Sequence, residues 1–405
     1  MYSYMLAIVA IPIATSISVV SLLILFLLSS DYKAKLLVIK EEPVIWALFL
    51  LVMISVFSLF YGEGNPKYIF SLIKLLIFFT VILYFIKKYF IAKELLIIFV
   101  SSVILLALFS VLNHLFLTKD FFIHFAKEDA YPMASSQNEM AIALVTASIL
   151  LIVESQKHLG YKKYVYILLS MFLVYCEYFL NQSRTGYLME FVVILYYCFI
   201  FCFPLNSPLN NRKINFKRTF IVILVLIVLP LIIYEKSYTF KFRVDASIKE
   251  VKQFFYEKTD IDKNITSSGI RLGWYYASYK TITSSPEKFV FGCGTGYFKD
   301  CVQKVINKSP KNQQLKMAAP DQNPHNQFIF FLLQSGMIGL IVFLYFLISI
   351  VLQAKQTNYK NTLWMLVTVF CIGCMFNSYM LDLRTGPITF LPIILILATK
   401  YKRIN

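Results

Sequence analysis

The chain has 405 residues, of which 59% are hydrophobic and 15% charged. A soluble domain runs at about 45–50% apolar and about 25% charged, so the balance excludes an ordinary soluble enzyme. The formal charge is +17, yet there is no Arg-rich tail, zinc-finger cysteine spacing or aromatic-basic motif, which sets nucleic acid aside as a partner.

In chain order, apolar runs that read as helical spans fall near 4–30, 43–61, 68–86, 95–117, 139–154, 163–180, 186–204, 219–234, 328–352, 362–380 and 386–399. Spans of solid apolar character belong to transmembrane helices, whereas a barrel would show short alternating strands. The expectation is an all-α polytopic membrane protein of eleven spans, or twelve if the long first run breaks at Pro12. The first thirty residues lack a charged leading segment and run too long for a cleavable signal, so they are expected to stay in the membrane.

Lys and Arg collect in alternate connections: Lys33, Lys35 and Lys40; Lys87, Lys88 and Lys93; Lys157, Lys162 and Lys163; Arg212, Lys213, Lys217 and Arg218; Lys355 and Lys360; and the tail Lys400, Lys402 and Arg403. These eighteen cations mark the cytoplasmic side. The opposite short connections carry only Lys67, Lys119, Lys127, Arg184 and Arg384. The alternation divides the chain into N-terminal spans (1–234), one large external loop (235–327) and C-terminal spans with a tail (328–405). That loop holds fifteen Lys/Arg against nine Asp/Glu, a surplus on the side where positive charge is normally scarce. It is either a solvated loop with incidental charge or a site for a phosphate-bearing ligand at the membrane surface, with membrane lipids among the anions it meets.

Three residues beside the spans carry chemistry best. Arg184 stands in a tight polar break, Asn181-Gln182-Ser183-Arg184-Thr185-Gly186, which suits either a headgroup-snorkelling arginine or a cavity floor. Arg271 shares a helical face with Trp274, Tyr275 and Ser278, the pattern of an amphipathic helix resting on the outer leaflet. His325, in Pro324-His325-Asn326-Gln327, stands where the loop re-enters the membrane, and a neutral imidazole there is a natural proton acceptor. The spacing Asp260-Ile261-Asp262 fits a metal-bound nucleotide-sugar motif, but it sits mid-loop among Lys258 and Lys263, and no metal is expected. Gly292-Cys293-Gly294-Thr295-Gly296 lacks the strand-turn-helix setting of a phosphate cradle and reads as a tight backbone turn. Cys293 and Cys301 suit a disulfide in an oxidising compartment, while Cys176, Cys198, Cys202, Cys371 and Cys374 sit in apolar helices as small hydrophobes. Glu177 is an intramembrane acid whose partner is Arg184 or another external cation, and Asp382 and Arg384 form a similar pair.

His325-Asn326, nine residues, then Gly336-Met337-Ile338-Gly339 resembles the signature of bacterial O-antigen ligases. Arg184-Thr185-Gly186-Tyr187-Leu188 is similar to that family's Arg-x-x-x-Leu pattern, with further agreement at Asn138, at Arg271 ahead of Pro286, and in the one large loop before the histidine. The resemblance covers roughly 130–400. It implies a GT-C-like inner-membrane glycosyltransferase, working at the periplasmic face without metal or cofactor. The implied donor is a glycan on undecaprenyl diphosphate, and the implied acceptor is a sugar hydroxyl of the lipid A-core. Arg184 and Arg271 would stabilise the leaving diphosphate in place of a metal, His325 would take the hydroxyl proton, and Asn326, Tyr275 and Asn138 would line the diphosphate and glycan site. Direct displacement inverts the anomeric centre.

The chain departs from the family at two places. Tyr275 stands where a second Arg-x-x-x-Leu would need leucine, and eleven spans put the N-terminus outside where the family's twelve put both ends inside. The paired Arg-ten-residue-Gly motifs of O-antigen polymerases are not evident, which favours a ligase over a polymerase or a protein O-oligosaccharyltransferase using the same donor. A transporter of the same lipid-linked glycan would gather its ionisable groups near the midplane. The sequence carries no reading of the oligomeric state.

Overall fold

A computed structural model describes residues 11–61, 66–89, 91–116, 137–181, 183–202, 216–256, 267–308, 324–357, 359–381 and 385–400. Every regular element among them is helical. In chain order these are α1 (Ile11–Leu28), α2 (Tyr32–Glu41), α3 (Pro43–Phe57), α4 (Lys67–Tyr89), α5 (Ala92–Phe116), α6 (Gln137–Ser155), α7 (Tyr161–Tyr175) extended by a π-turn (Cys176–Leu180), α8 (Arg184–Cys202), α9 (Phe216–Lys236), α10 (Tyr238–Tyr256), α11 (Ser267–Ile282), α12 (Pro286–Phe291), α13 (Phe298–Lys308), α14 (Gln327–Ala354), α15 (Lys360–Phe376) and α16 (Thr385–Ala398). Each of the eleven expected spans has its helix. Pro12 stands in the first turn of α1, and the residues before Ile11, like Asp260, Asp262, Asp382 and Arg384, lie outside the described ones.

The surface identifies the solvent. Along α5, Ile97, Leu105, Leu108 and Leu112 are exposed; along α14, Ile338, Ile341, Tyr345, Ile348 and Leu352 are exposed while Phe343, Phe346, Leu347 and Ile350 are buried. Helices that are apolar on both faces, with uncharged Leu/Ile stripes running several turns in the open, are stable only against lipid. Five helical stretches, including Lys67–Tyr89 and Gln327–Ala354, are long and apolar enough to cross a bilayer. The chain is a multi-pass all-α membrane protein.

The helices gather into two compact units, 1–99 with 246–405 and, separately, 100–245. In the first, α14 packs against α3 and α15, and α4 against α3 and α16. Lipid is as apolar as leucine, so close packing and polar ties, rather than water exclusion, hold such helices together. Phe390 supplies the packing, meeting Phe79, Phe346 and Phe370 at ring-centroid distances of 5.3, 5.7 and 4.8 Å. A buried ion pair supplies the tie: Glu42, fully buried, takes Lys400 at 3.0 Å and Lys87 at 3.3 Å. These three helix ends are ones the charge pattern assigned to a single side.

At the opposite ends of α3 and α14 the loop re-enters the bundle. Ser335 and Gly336 depart from helical geometry (Gly336 φ 64, ψ −158), interrupting α14. The chain after α12 fills the gap: Cys293 N–H donates to the Leu333 carbonyl at 2.7 Å and Gly294 N–H to that of Gln334 at 3.0 Å. Thr295 donates to the Ser55 carbonyl at 2.7 Å and contacts the Ser58 hydroxyl. Carbonyls freed by a helix break inside a membrane need such donors. Positive φ at Gly292, Gly294 and Gly296 makes the tight turn that the glycine spacing suggests, and Cys293 pairs with Cys301 as a disulfide.

One expectation is overturned. The helix of Arg271 does not rest on the leaflet: Trp274, Ala277 and Thr281 are fully buried, and Trp274 meets Phe298 at 6.3 Å. Gly273, Ala277 and Ser278 leave so little side chain that α11 packs closely onto α13 and α14. The amphipathic loop helix is instead α13, which buries Phe298, Cys301 and Val302 along one face.

Candidate functional site

The structure brings the proposed site residues together in two groups, one in each unit. The first is built on the Pro324–Gln327 turn. Asn326 caps α14: its Oδ1 accepts from Ile329 N–H at 3.0 Å, and its Nδ2 donates to the Met375 carbonyl at 2.9 Å. Tyr275, on α11, donates to that same carbonyl at 2.6 Å. Gln327 accepts from Met380 N–H at 3.1 Å. Together these bonds tie α11, the start of α14 and the end of α15 to one another, with His325 at the junction.

His325 has φ 50, the only positive value at a non-glycine among the described residues. Such a conformation costs about 1–3 kcal/mol and is retained where surrounding structure enforces it, most often at a functional site. Burial, and then the Arg271 charge, push its imidazole down to about 4, so the ring is a neutral base at neutral pH. Burial also draws the Arg271 guanidinium below the usual arginine range, opposed by Tyr275, Tyr379 and Glu250. Tyr275 is raised by burial, against its contacts with Asn326 and Arg271. The group therefore offers a cation and a proton acceptor at one largely buried junction, where electrostatic interactions are strong.

The second group surrounds Arg184. The π-turn closes with Asn181 N–H on the Cys176 carbonyl at 2.9 Å, and α8 begins three residues later. Ser183 caps that helix by accepting from Gly186 N–H at 3.1 Å, and its hydroxyl donates to Asn138 at 3.0 Å. Asn181 donates to the Gln137 carbonyl at 3.1 Å and to the fully buried Glu177 at 2.8 Å. Asn138 thus supports the turn that presents Arg184. A Cβ on Gly186 would stand 1.7 Å from Glu177 Oε1 and 2.8 Å from Ala141 Cβ, so the glycine lets both side chains close onto α8.

Several contributors escape sequence reasoning. Glu250 accepts from Gly269 N–H at 2.7 Å, anchoring the start of α11 two residues before Arg271. Tyr379 and Met375 reach the site from a region with no signature. Glu190 is, after Glu42 and Glu177, a third fully buried carboxyl, and an acid inside an apolar run was a signal available in the sequence.

A search of curated proteins returns no match. The family described as O-antigen ligase matches residues 168–344, the stretch that contains Arg184, Arg271, His325 and the Gly336/Gly339 pair. Over those residues, somewhat under half of the chain, the sequence is similar to the O-antigen ligase family, a family of glycosyltransferase-like enzymes.

Proposed function

We propose that the protein is an O-antigen ligase. It transfers a glycan from undecaprenyl diphosphate to a sugar hydroxyl of the lipid A-core, at the periplasmic face of the inner membrane, as a step in lipopolysaccharide assembly. The observation that carries this reading is the junction where His325 adjoins Asn326, which shares the Met375 carbonyl with Tyr275, one helical turn along α11 from Arg271. The acceptor oxygen attacks the anomeric carbon and the bond from that carbon to the phosphate oxygen breaks, its electron pair leaving with the diphosphate. The hydroxyl proton passes to His325. Arg271 and Arg184 hold the departing negative charge, a task for which guanidinium is suited because it grips phosphate bidentately and stays charged. Attack from the face opposite the leaving group inverts the centre, and no step calls on a metal ion.

The lipopolysaccharide profile of a strain lacking the gene tests this. Core without O-antigen, together with accumulated polymeric lipid-linked glycan, is expected. Core bearing a single repeat would make the protein a polymerase.

A further inference from the structure

The unit formed by residues 100–245 contains a cavity of about 240 Å³ that the chemistry above does not use. Its outer end is a box of rings: Tyr178 and Tyr187 stack at 5.4 Å, and Phe240 crosses them at 5.8 and 5.1 Å. Both tyrosine hydroxyls are spent on backbone carbonyls, those of Tyr187 and Asn181, so only hydrocarbon remains to face the space. Deeper walls are Phe191 and Ile194 from α8, and Leu226 and Ile233 from α9. No charged side chain lines it.

Charge stands instead at the ring-lined end. Arg184 opens α8 one turn before Tyr187 and Leu188, both of which line the cavity. Arg243 lies one turn beyond Phe240 on α10. From Arg184 to Ile194 is about 15 Å along the helix. The arrangement complements an amphiphile with an anionic head and a hydrocarbon chain, and the arginine at its head end is one already assigned to the diphosphate.

We propose that this cavity seats the first isoprene units of the donor lipid, with Arg243 joining Arg184 at the diphosphate. The inference rests on the ligase reading for the identity of the lipid, and it assigns the path by which that lipid reaches the site, between α8 and α9.

The test compares two donors that carry the same glycan diphosphate, one on a full-length polyprenyl chain and one on a two-isoprene chain. Leu226→Trp and, separately, Ile233→Phe fill the cavity. Each should raise KM for the long donor about tenfold, as expected for a hydrophobic pocket that loses its occupant, and less than twofold for the short one. Arg243→Ala should raise KM for both. Equal effects on the two donors, or none, would overturn the proposal. Glycan-free polyprenyl diphosphate bearing a photoreactive group on its second isoprene provides a readout that needs no turnover: it should label α8 or α9 in the wild type and lose that label in Leu226→Trp. Labelling elsewhere, or a cavity occupied by phospholipid that polyprenyl diphosphate does not displace, would overturn it. Failure of the wild type to transfer glycan from either donor would count against the ligase reading alone, since the labelling result stands apart from it.

Discussion

Gly336→Ala should destabilise the protein far more than the loss of one hydrogen atom suggests, and Gly160→Ala isolates the reason. Both glycines occupy nearly the same backbone conformation, Gly160 at φ 66, ψ −147 and Gly336 at φ 64, ψ −158. A side chain there costs about 1–3 kcal/mol. A Cβ on Gly160 meets nothing within 4 Å, whereas one on Gly336 stands 2.2 Å from the Val290 carbonyl oxygen and 2.5 Å from Phe291 N. Backbone on both sides must move apart, which breaks the bonds from Cys293 to Leu333 and from Gly294 to Gln334. Each is worth about 0.5–1.5 kcal/mol net, more when a buried group is left unpaired. Gly336→Ala should therefore lose about 1–3 kcal/mol beyond Gly160→Ala. Thermal unfolding of the two variants in the same detergent measures the difference. Equal losses would refute the account of the signature glycines as the seat of the re-entrant loop.

Other outcomes follow from the same geometry. With His325 held at about 4, its folded pKa lies below its unfolded one, so it favours the fold fully above about pH 6.5 and progressively less as pH falls toward 4. The acidic limb of kcat/KM should accordingly lie near pH 4, and a limb between 6 and 7 would contradict the burial argument. Asn326→Ala removes both a helix cap and the tie to Met375 and should cost about 1–2 kcal/mol by chemical denaturation. Reducing the Cys293–Cys301 bond, which closes a loop of sequence separation 8, should lower stability by about 2–3 kcal/mol, seen as a lower melting temperature with reductant.

The helices were legible because long apolar runs have few other uses, although only five stretches are long and apolar enough to cross a bilayer, and the Glu42 cluster joins ends that positive-inside counting had already sorted together. The placement of α11 was not legible. Arg271, Trp274 and Tyr275 have the composition of an interfacial helix, and only the small residues Gly273, Ala277 and Ser278 hint that it packs inward. Asn138 and Asn326 entered through the family resemblance, which places both in the diphosphate and glycan site; what no signature conveys is their bonding, Asn326 to backbone at Ile329 and Met375 and Asn138 to the Ser183 hydroxyl. The carbonyl of Met375 leaves no trace in a sequence, because any residue supplies one.

Transfer in a purified system tests the central claim most directly. Wild-type protein supplied with lipid-linked O-antigen and lipid A-core, in the presence of a chelator, should form the conjugate. Arg184→Ala, Arg271→Ala and His325→Ala should each lose about 10²–10⁴-fold in rate, the range for removing a charge-stabilising donor or a general base. Undiminished transfer by Arg184→Ala and His325→Ala would contradict the assignment of the site, and a requirement for a divalent ion would turn attention to Asp260 and Asp262.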